Sequence, residues 1–135
     1  MTPHQLNIVC ALVVRAGRLL ISRRREGSHL AGFWEFPGGK SRPDEDDLSA
    51  VRRELMEEVG LEVQVGALYF QTTFTYPERV VNLKFFGCTV DAEAQAAALE
   101  VAAFAWVKPE QLSDYPFPPA NQELLALLQA GPLPG

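Results

Sequence analysis

The chain is poor in the features that would commit it to several large protein classes. It has only two cysteines, Cys10 and Cys88, far apart and in no C-x-x-C pattern, so the sequence encodes neither a disulfide framework nor a cysteine-based zinc site. Both are expected to be buried thiols in a reducing compartment. The two histidines, His4 and His29, stand alone and carry little information. No run of eighteen apolar residues is present and nothing reads as a signal peptide, so the expectation is a cytoplasmic protein with no membrane partner. Basic residues are not in excess: 12 Lys and Arg against 17 Asp and Glu leave a net charge of −5, the wrong sign for a non-specific duplex-DNA binder. A small polyanion remains an acceptable ligand if a cation accompanies it. Internal repeats and low-complexity tracts are also missing.

What is there is ordinary for a soluble globular domain. The 135 residues, 47% hydrophobic and 21% charged, suit a single domain over 1–135 with its own core. "QLNIVCALVV" is apolar and β-branched and predicts a strand; "RAGR" supplies a turn and "LLISRRR" a returning strand. "EGSHLAGFWEFPGGK" predicts a loop with a short extended piece, Trp34 to Phe36. "EDDLSAVRRELMEEVG" carries the clearest helix signal, with acids at its start and Gly60 placed to end it. "LEVQVGALYFQTTFTY" and "RVVNLKFFGCTV" predict two long strands joined through "PE". "AEAQAAALEV" leaves helix and mobile loop open, "AAFAWV" predicts a strand, "KPEQL" a short helix and "PPANQELLALLQA" a final helix. The tail "AGPLPG" is expected to fray. Together these give an α+β fold, an αβα sandwich with a mixed β-sheet.

The central helix crowds three glutamates, Glu54, Glu57 and Glu58, into five positions. At about 100° per residue from Leu48, the residues Val51, Leu55 and Val59 form one apolar stripe, and the three glutamates form a face beside it, at the edge of the core. Two carboxylates about 4–5 Å apart repel by roughly 3–4 kcal/mol at an effective dielectric of 20. A fully solvated acidic face relieves this by spreading out. A half-buried one needs a raised pKa or a cation, and oxygen-only ligands favour Mg²⁺ or Mn²⁺.

The wider spacing is specific. Glu45 lies eight residues before Arg53 and Gly39 six before that, so residues 39–61 read G-x5-E-x7-R-E-L-x-E-E-x-G-L. This resembles the complete signature of the Nudix hydrolases, and at about 7% usage per residue type a chance match is rarer than roughly one in a million. "FWEFPGGK" and "YPFPPANQELLALL" are similar to the MutT branch of that family. The resemblance implies the Nudix αβα sandwich and attack by water on a phosphorus of a nucleoside triphosphate, giving nucleoside monophosphate and pyrophosphate. The implied partner is that triphosphate rather than a nucleic-acid polymer, and the chain is expected as a monomer or homodimer.

By the same resemblance Glu54, Glu57 and Glu58 are metal ligands, with Glu54 also the base towards water; the Gly38 carbonyl and Glu100 complete the metal set. Glu45 and Arg53 read as scaffold, since arginine forks two bonds onto a carboxylate. Arg24 and Lys40 are placed to meet phosphate or ribose, the alternatives being a charged strand end and a solvated lysine. Asn121 opens the last helix, where its amide offers a donor and an acceptor to an oxopurine edge or else caps the helix. Phe36 either stacks on the base, with Trp34 and Arg79 nearby, or belongs to the core. Arg42 and Asp44 replace the Glu and Gly common in the box. The leading expectation is hydrolysis of 8-oxo-dGTP in nucleotide-pool sanitation. A CTP or dCTP pyrophosphatase comes next, and a non-catalytic nucleotide-binding module is the alternative from another class.

Overall fold

The computed structural model describes residues 4–134. These form β1 (His4–Arg15), β2 (Arg18–Arg23), β3 (Trp34–Glu35), β4 (Gly38–Lys40), α1 (Asp47–Val59), β5 (Gln64–Thr75), β6 (Arg79–Thr89), β7 (Ala103–Val107) and α2 (Gln122–Ala130), with 3-10 turns at Pro109–Asp114 and Pro119–Asn121.

β1 organises the sheet. It runs parallel to β6 from His4 to Val13 and antiparallel to β4 through Ile8–Lys40, Val9–Gly39 and Cys10–Gly38; its far end pairs with β2. β5 extends the sheet beyond β6, and β2 carries β3 and β7. The sheet is therefore mixed. Ala16 and Gly17 both have positive φ, 53° and 75°, the backbone of a type I′ turn whose twist matches its strands.

Side-chain alternation along β1 separates two cores. Val9, Ala11 and Val13 pack under α1 with Ala50, Val51, Leu55 and Val59. Cys10 and Leu12 pack on the opposite side with Leu112 and with Leu124, Leu125 and Leu128 of α2. One helical layer on each face is the expected αβα sandwich. Cys10 and Cys88 are free and buried, and burial raises both thiols, Cys88 to about 12.

α1 is fixed at both ends by local chemistry. The Asp46 carboxylate accepts from the Ser49 backbone N–H at 2.7 Å, which also holds that carboxyl below its usual range. Gly60, in the left-handed region at φ 67°, closes the helix by donating to the Met56 carbonyl. The helix faces the sheet differently from the sequence expectation. Leu48 is 48% exposed, while Ala50 is fully buried. Ala50 widens the buried arc, which runs from about 200° round from Leu48 to Val59 at about 20°; Leu48 falls within it but lies in the first turn and is exposed. Glu54 and Glu58 lie inside that arc rather than beside it.

Three other segments settle or correct expectations. Residues 91–100 contain no helix despite their alanines, because Ala97, Leu99 and Glu100 donate their N–H groups to the last carbonyls of α1, on Val59 and Glu58. The short helix expected at "KPEQL" is a 3-10 turn. In the tail, up to residue 134, Leu133 packs on the α2-side core and Pro134 lies over Gly87. Gly135 is outside the described residues.

Candidate active site

A cavity of about 630 Å³ opens between the sheet and the turn before α2. Ile8 and Cys10 from β1 and Leu83 and Phe85 from β6 form its floor, Phe74 and Tyr76 one wall, and Pro118, Ala120 and Asn121 the other. Arg24, Glu35, Gly38, Gly39, Glu54 and Glu58 close one end. A larger hollow of about 690 Å³ on the outer side of α1, beside Leu48, Met56 and Val65, contains none of these polar groups.

Two glycines let α1 deliver its acids to this end. A Cβ on Gly38 would run into the carbonyl oxygen of Val9, and one on Gly39 would stand 2.5 Å from Glu54 Oε2. The backbone is bare where the helix crosses the sheet edge, so Glu54 and Glu58 reach the cavity across it.

Burial dominates the electrostatics. Glu58 Oε1 is buried with no hydrogen-bond partner among the described residues. Its carboxyl is pushed up to about 9, first by burial and then by the Glu54 carboxyl and the Glu35 and Glu54 charges, partly offset by the Gly38 backbone. Glu35 is raised as well, chiefly by burial, against the pull of Arg24, whose Nη1 lies 2.9 Å from Glu35 Oε1. Arg24 Nε donates to the His29 carbonyl, so this guanidinium is held from two sides.

Arg53 forms a second charged node. Its Nε and Nη2 donate to Glu45 Oε2 and Oε1 at 2.7 and 2.9 Å, and Nη2 also reaches the Lys40 carbonyl. Nη1 donates to Glu54 Oε1 at 3.0 Å and to Glu57 Oε2 at 3.1 Å. The fork holds the Glu45 carboxyl down at about 2 and raises Arg53 above its ordinary range. One guanidinium thereby ties the loop before α1, the end of β4 and two helix carboxylates into one unit.

Most of the residues singled out in the sequence converge here. Arg24, Phe36, Gly38, Lys40, Glu54, Glu58, Arg79, Glu100 and Asn121 all line the cavity. Glu45, Arg53 and Glu57 do not, because they turn towards one another on its outer side. Residues 8–127 match the sequence profile of the NUDIX domain.

The chain belongs to the Nudix hydrolase family. It is 35% identical over 125 residues to the CTP pyrophosphohydrolase of Escherichia coli K12, covering 93% of this chain and 92% of that one. It is 34% identical over 111 residues to the 8-oxo-dGTP diphosphatase of the same organism, covering 82% and 85%. Among solved structures, the MutT protein of Methanosarcina mazei Go1 superposes with a TM-score of 0.84 at 29% identity over 95% of both chains.

Packing bears on the two alternatives read for Phe36 in this Nudix domain. Phe36 is 2% exposed, with Phe85 edge-on at 6.2 Å and Phe117 tilted at 5.5 Å, so its ring is packed in the core at the margin of the cavity. Trp34 packs edge-on against Tyr115 at 4.9 Å, outside the cavity lining. The aromatic pair in the wall is instead Phe74 and Tyr76, 4.9 Å apart, with the Arg79 guanidinium 5.8 Å from the Tyr76 ring. Sequence reasoning missed these two and Glu35; a lone acid inside "FWEF" and the alternate aromatics Phe74 and Tyr76 were the available signals. Asn121 is 8% exposed, forms no side-chain cap on α2 and faces the cavity. Arg42 and Asp44 are exposed and lie outside the lining.

Nudix hydrolases generally use divalent metals, and the donors at the cavity end fit one. Among the described residues no three acidic, imidazole or thiol side chains form a ready cage. Even so, the donors Glu54, Glu58 and the Gly38 carbonyl are all oxygens, and the partnerless Glu58 Oε1 is an atom that a hard cation would satisfy.

Proposed function

We propose that this Nudix hydrolase cleaves nucleoside triphosphates to nucleoside monophosphate and pyrophosphate, and that 8-oxo-dGTP is its preferred substrate in nucleotide-pool sanitation. One observation carries the reading: a single cavity holds half-buried carboxylates at one end and, on the wall before α2, a buried amide with no other commitment.

Glu54 and Glu58, with the Gly38 carbonyl, would hold Mg²⁺ or Mn²⁺, and Glu57 would join them on leaving Arg53; Glu100 stands at the cavity rim as a further ligand. A bound divalent cation supplies neutralisation of phosphate oxygens and a more acidic water. The chain's own residues do the rest. Glu54 takes the proton of the attacking water, and Arg53 keeps its carboxylate turned to that task. Arg24 and Lys40 bind the phosphate chain, and Arg79 covers the base beside Tyr76. Asn121 presents a donor and an acceptor to the base edge, a match for 8-oxoguanine, whose N7 is a donor.

A CTP or dCTP pyrophosphatase is the second reading, favoured by the relative of that name, which matches over more of the chain than the 8-oxo-dGTP diphosphatase does. Pyrophosphate release from 8-oxo-dGTP, dGTP, dCTP and CTP, with and without Mg²⁺, separates the two. The expected result is Mg²⁺-dependent release with the highest kcat/KM on 8-oxo-dGTP. Asn121→Ala is expected to lower that preference by about 10-fold or more while changing turnover of a generic triphosphate little. A preference for dCTP replaces the first reading by the second, and no release from any triphosphate removes both.

A further inference from the structure

The active-site acids are held from an unexpected quarter. Glu100 belongs to residues 91–100, a segment with no helix or strand that is hydrogen-bonded to the backbone of Glu58. Its downstream end is stapled to α1: Leu99 and Glu100 both donate to the Glu58 carbonyl, at 3.0 and 3.1 Å, and Ala97 donates to Val59. Its upstream end is stapled by one side chain. Arg15, the last residue of β1, donates through Nη1 to the carbonyls of Asp91 and Ala94, at 3.2 and 2.7 Å. The Arg15 guanidinium lies 4.3 Å from the Trp106 ring centroid, so β7 fixes its plane.

We propose that Arg15 is a positioning residue for the carboxylate site, acting through this segment. The inference rests on the reading of Glu58 and Glu100 as active-site acids. Arg15 itself is outside the cavity lining and touches none of the site residues. A guanidinium that gathers two carbonyls fixes the backbone as a carboxylate–arginine pair would, without adding a carboxylate. With the upstream end pinned, the amides at 97, 99 and 100 stay on the end of α1. That sets where the Glu58 backbone ends and where the Glu100 side chain stands. Without the pin, the segment keeps only the packing of Ala94 and Ala96 on the α1-side core and three backbone bonds to the end of α1.

The test uses the full chain with Arg15→Ala and Arg15→Lys, read first by amide hydrogen exchange without metal. The expected result for Arg15→Ala is about tenfold or faster exchange at Ala97, Leu99 and Glu100, with the amides of β1 and the middle of α1 unchanged. Arg15→Lys, which keeps the charge but not the planar guanidinium over Trp106, should fall between. Pyrophosphate release should drop about tenfold in kcat with KM within about twofold, and the drop should shrink when Arg15→Ala is placed on Glu100→Gln. Unchanged exchange at the three amides overturns the proposal. So does faster exchange throughout the sheet, which would make Arg15 a general stabiliser, and so do losses from Arg15→Ala and Glu100→Gln that simply multiply. The exchange arm stands even if no triphosphate is hydrolysed, so failure of the proposed activity and failure of this inference remain distinguishable.

Discussion

Glu58→Gln should make the metal-free protein more stable while destroying its activity. Glu58 sits inside the buried arc of α1 with one oxygen unpartnered, and its carboxyl is raised from 4.5 to about 9. At pH 7.5 the folded chain must keep a proton on a group that the unfolded chain has released. Three pH units at 1.36 kcal/mol each give about 4 kcal/mol, and water entering the cavity end reduces this to about 2 kcal/mol. Between about pH 4.5 and 9 the folded state binds more protons than the unfolded state, so stability falls as pH rises. Glutamine needs no proton, and its amide can donate to Glu54. In EDTA at pH 7.5 the variant should melt roughly 6–8 °C above wild type; the gap should close near pH 4.5 and level off above pH 9. Mg²⁺ should raise the melting temperature of wild type and hardly move the variant, while turnover falls about 10³-fold. A variant that melts below wild type in EDTA at pH 7.5, or a gap independent of pH, would refute this account of the acid cluster.

The two glycines should fail differently. Gly39→Ala meets the far end of the Glu54 side chain, so activity should fall about 100-fold with a melting temperature within a few degrees of wild type. Gly38→Ala meets the Val9 and Cys10 backbone and should cost about 3 kcal/mol or more, read by urea denaturation. Glu45 stabilises the fold above about pH 4.5, and that contribution is lost as pH falls towards 2, so Glu45→Gln should differ from wild type in melting temperature at neutral pH and converge with it in acid. Ala16→Gly, at φ 53°, should gain about 0.5 kcal/mol by relieving a left-handed alanine, visible as a small rise in melting temperature.

Features set by local rules were legible in the sequence. The bounds of α1 follow from Asp46 and Gly60, the first hairpin from Ala16-Gly17, and the Glu45–Arg53 fork from an eight-residue spacing. What depended on tertiary placement was not. A helical wheel cannot say where a helix leaves the sheet, so Leu48 looked buried and Glu58 looked marginal. Residues 91–100 have helical composition, but hydrogen bonds to the end of α1 outweigh it. Asn121 was ambiguous because a cap and a ligand contact need the same amide; its φ of −95° and ψ of −8° lack the extended backbone a capping residue adopts. Phe36 sits just beyond β3, a strand of two residues, too short for alternation to reveal its side.

The two-sidedness of β1 has an evolutionary corollary. Leu6 and Ile8 of β1, with Val81 and Leu83 of β6, face the cavity, whereas Val9, Ala11 and Val13 face the helix that carries the acids. Mutational drift at the first set can reshape what the enzyme accepts without loosening the second, so substrate range and catalytic rigidity are separately heritable along one strand. A single-residue insertion in β1 would exchange the two sets at once, so divergence among relatives in this strand should proceed by replacement rather than by changes of length.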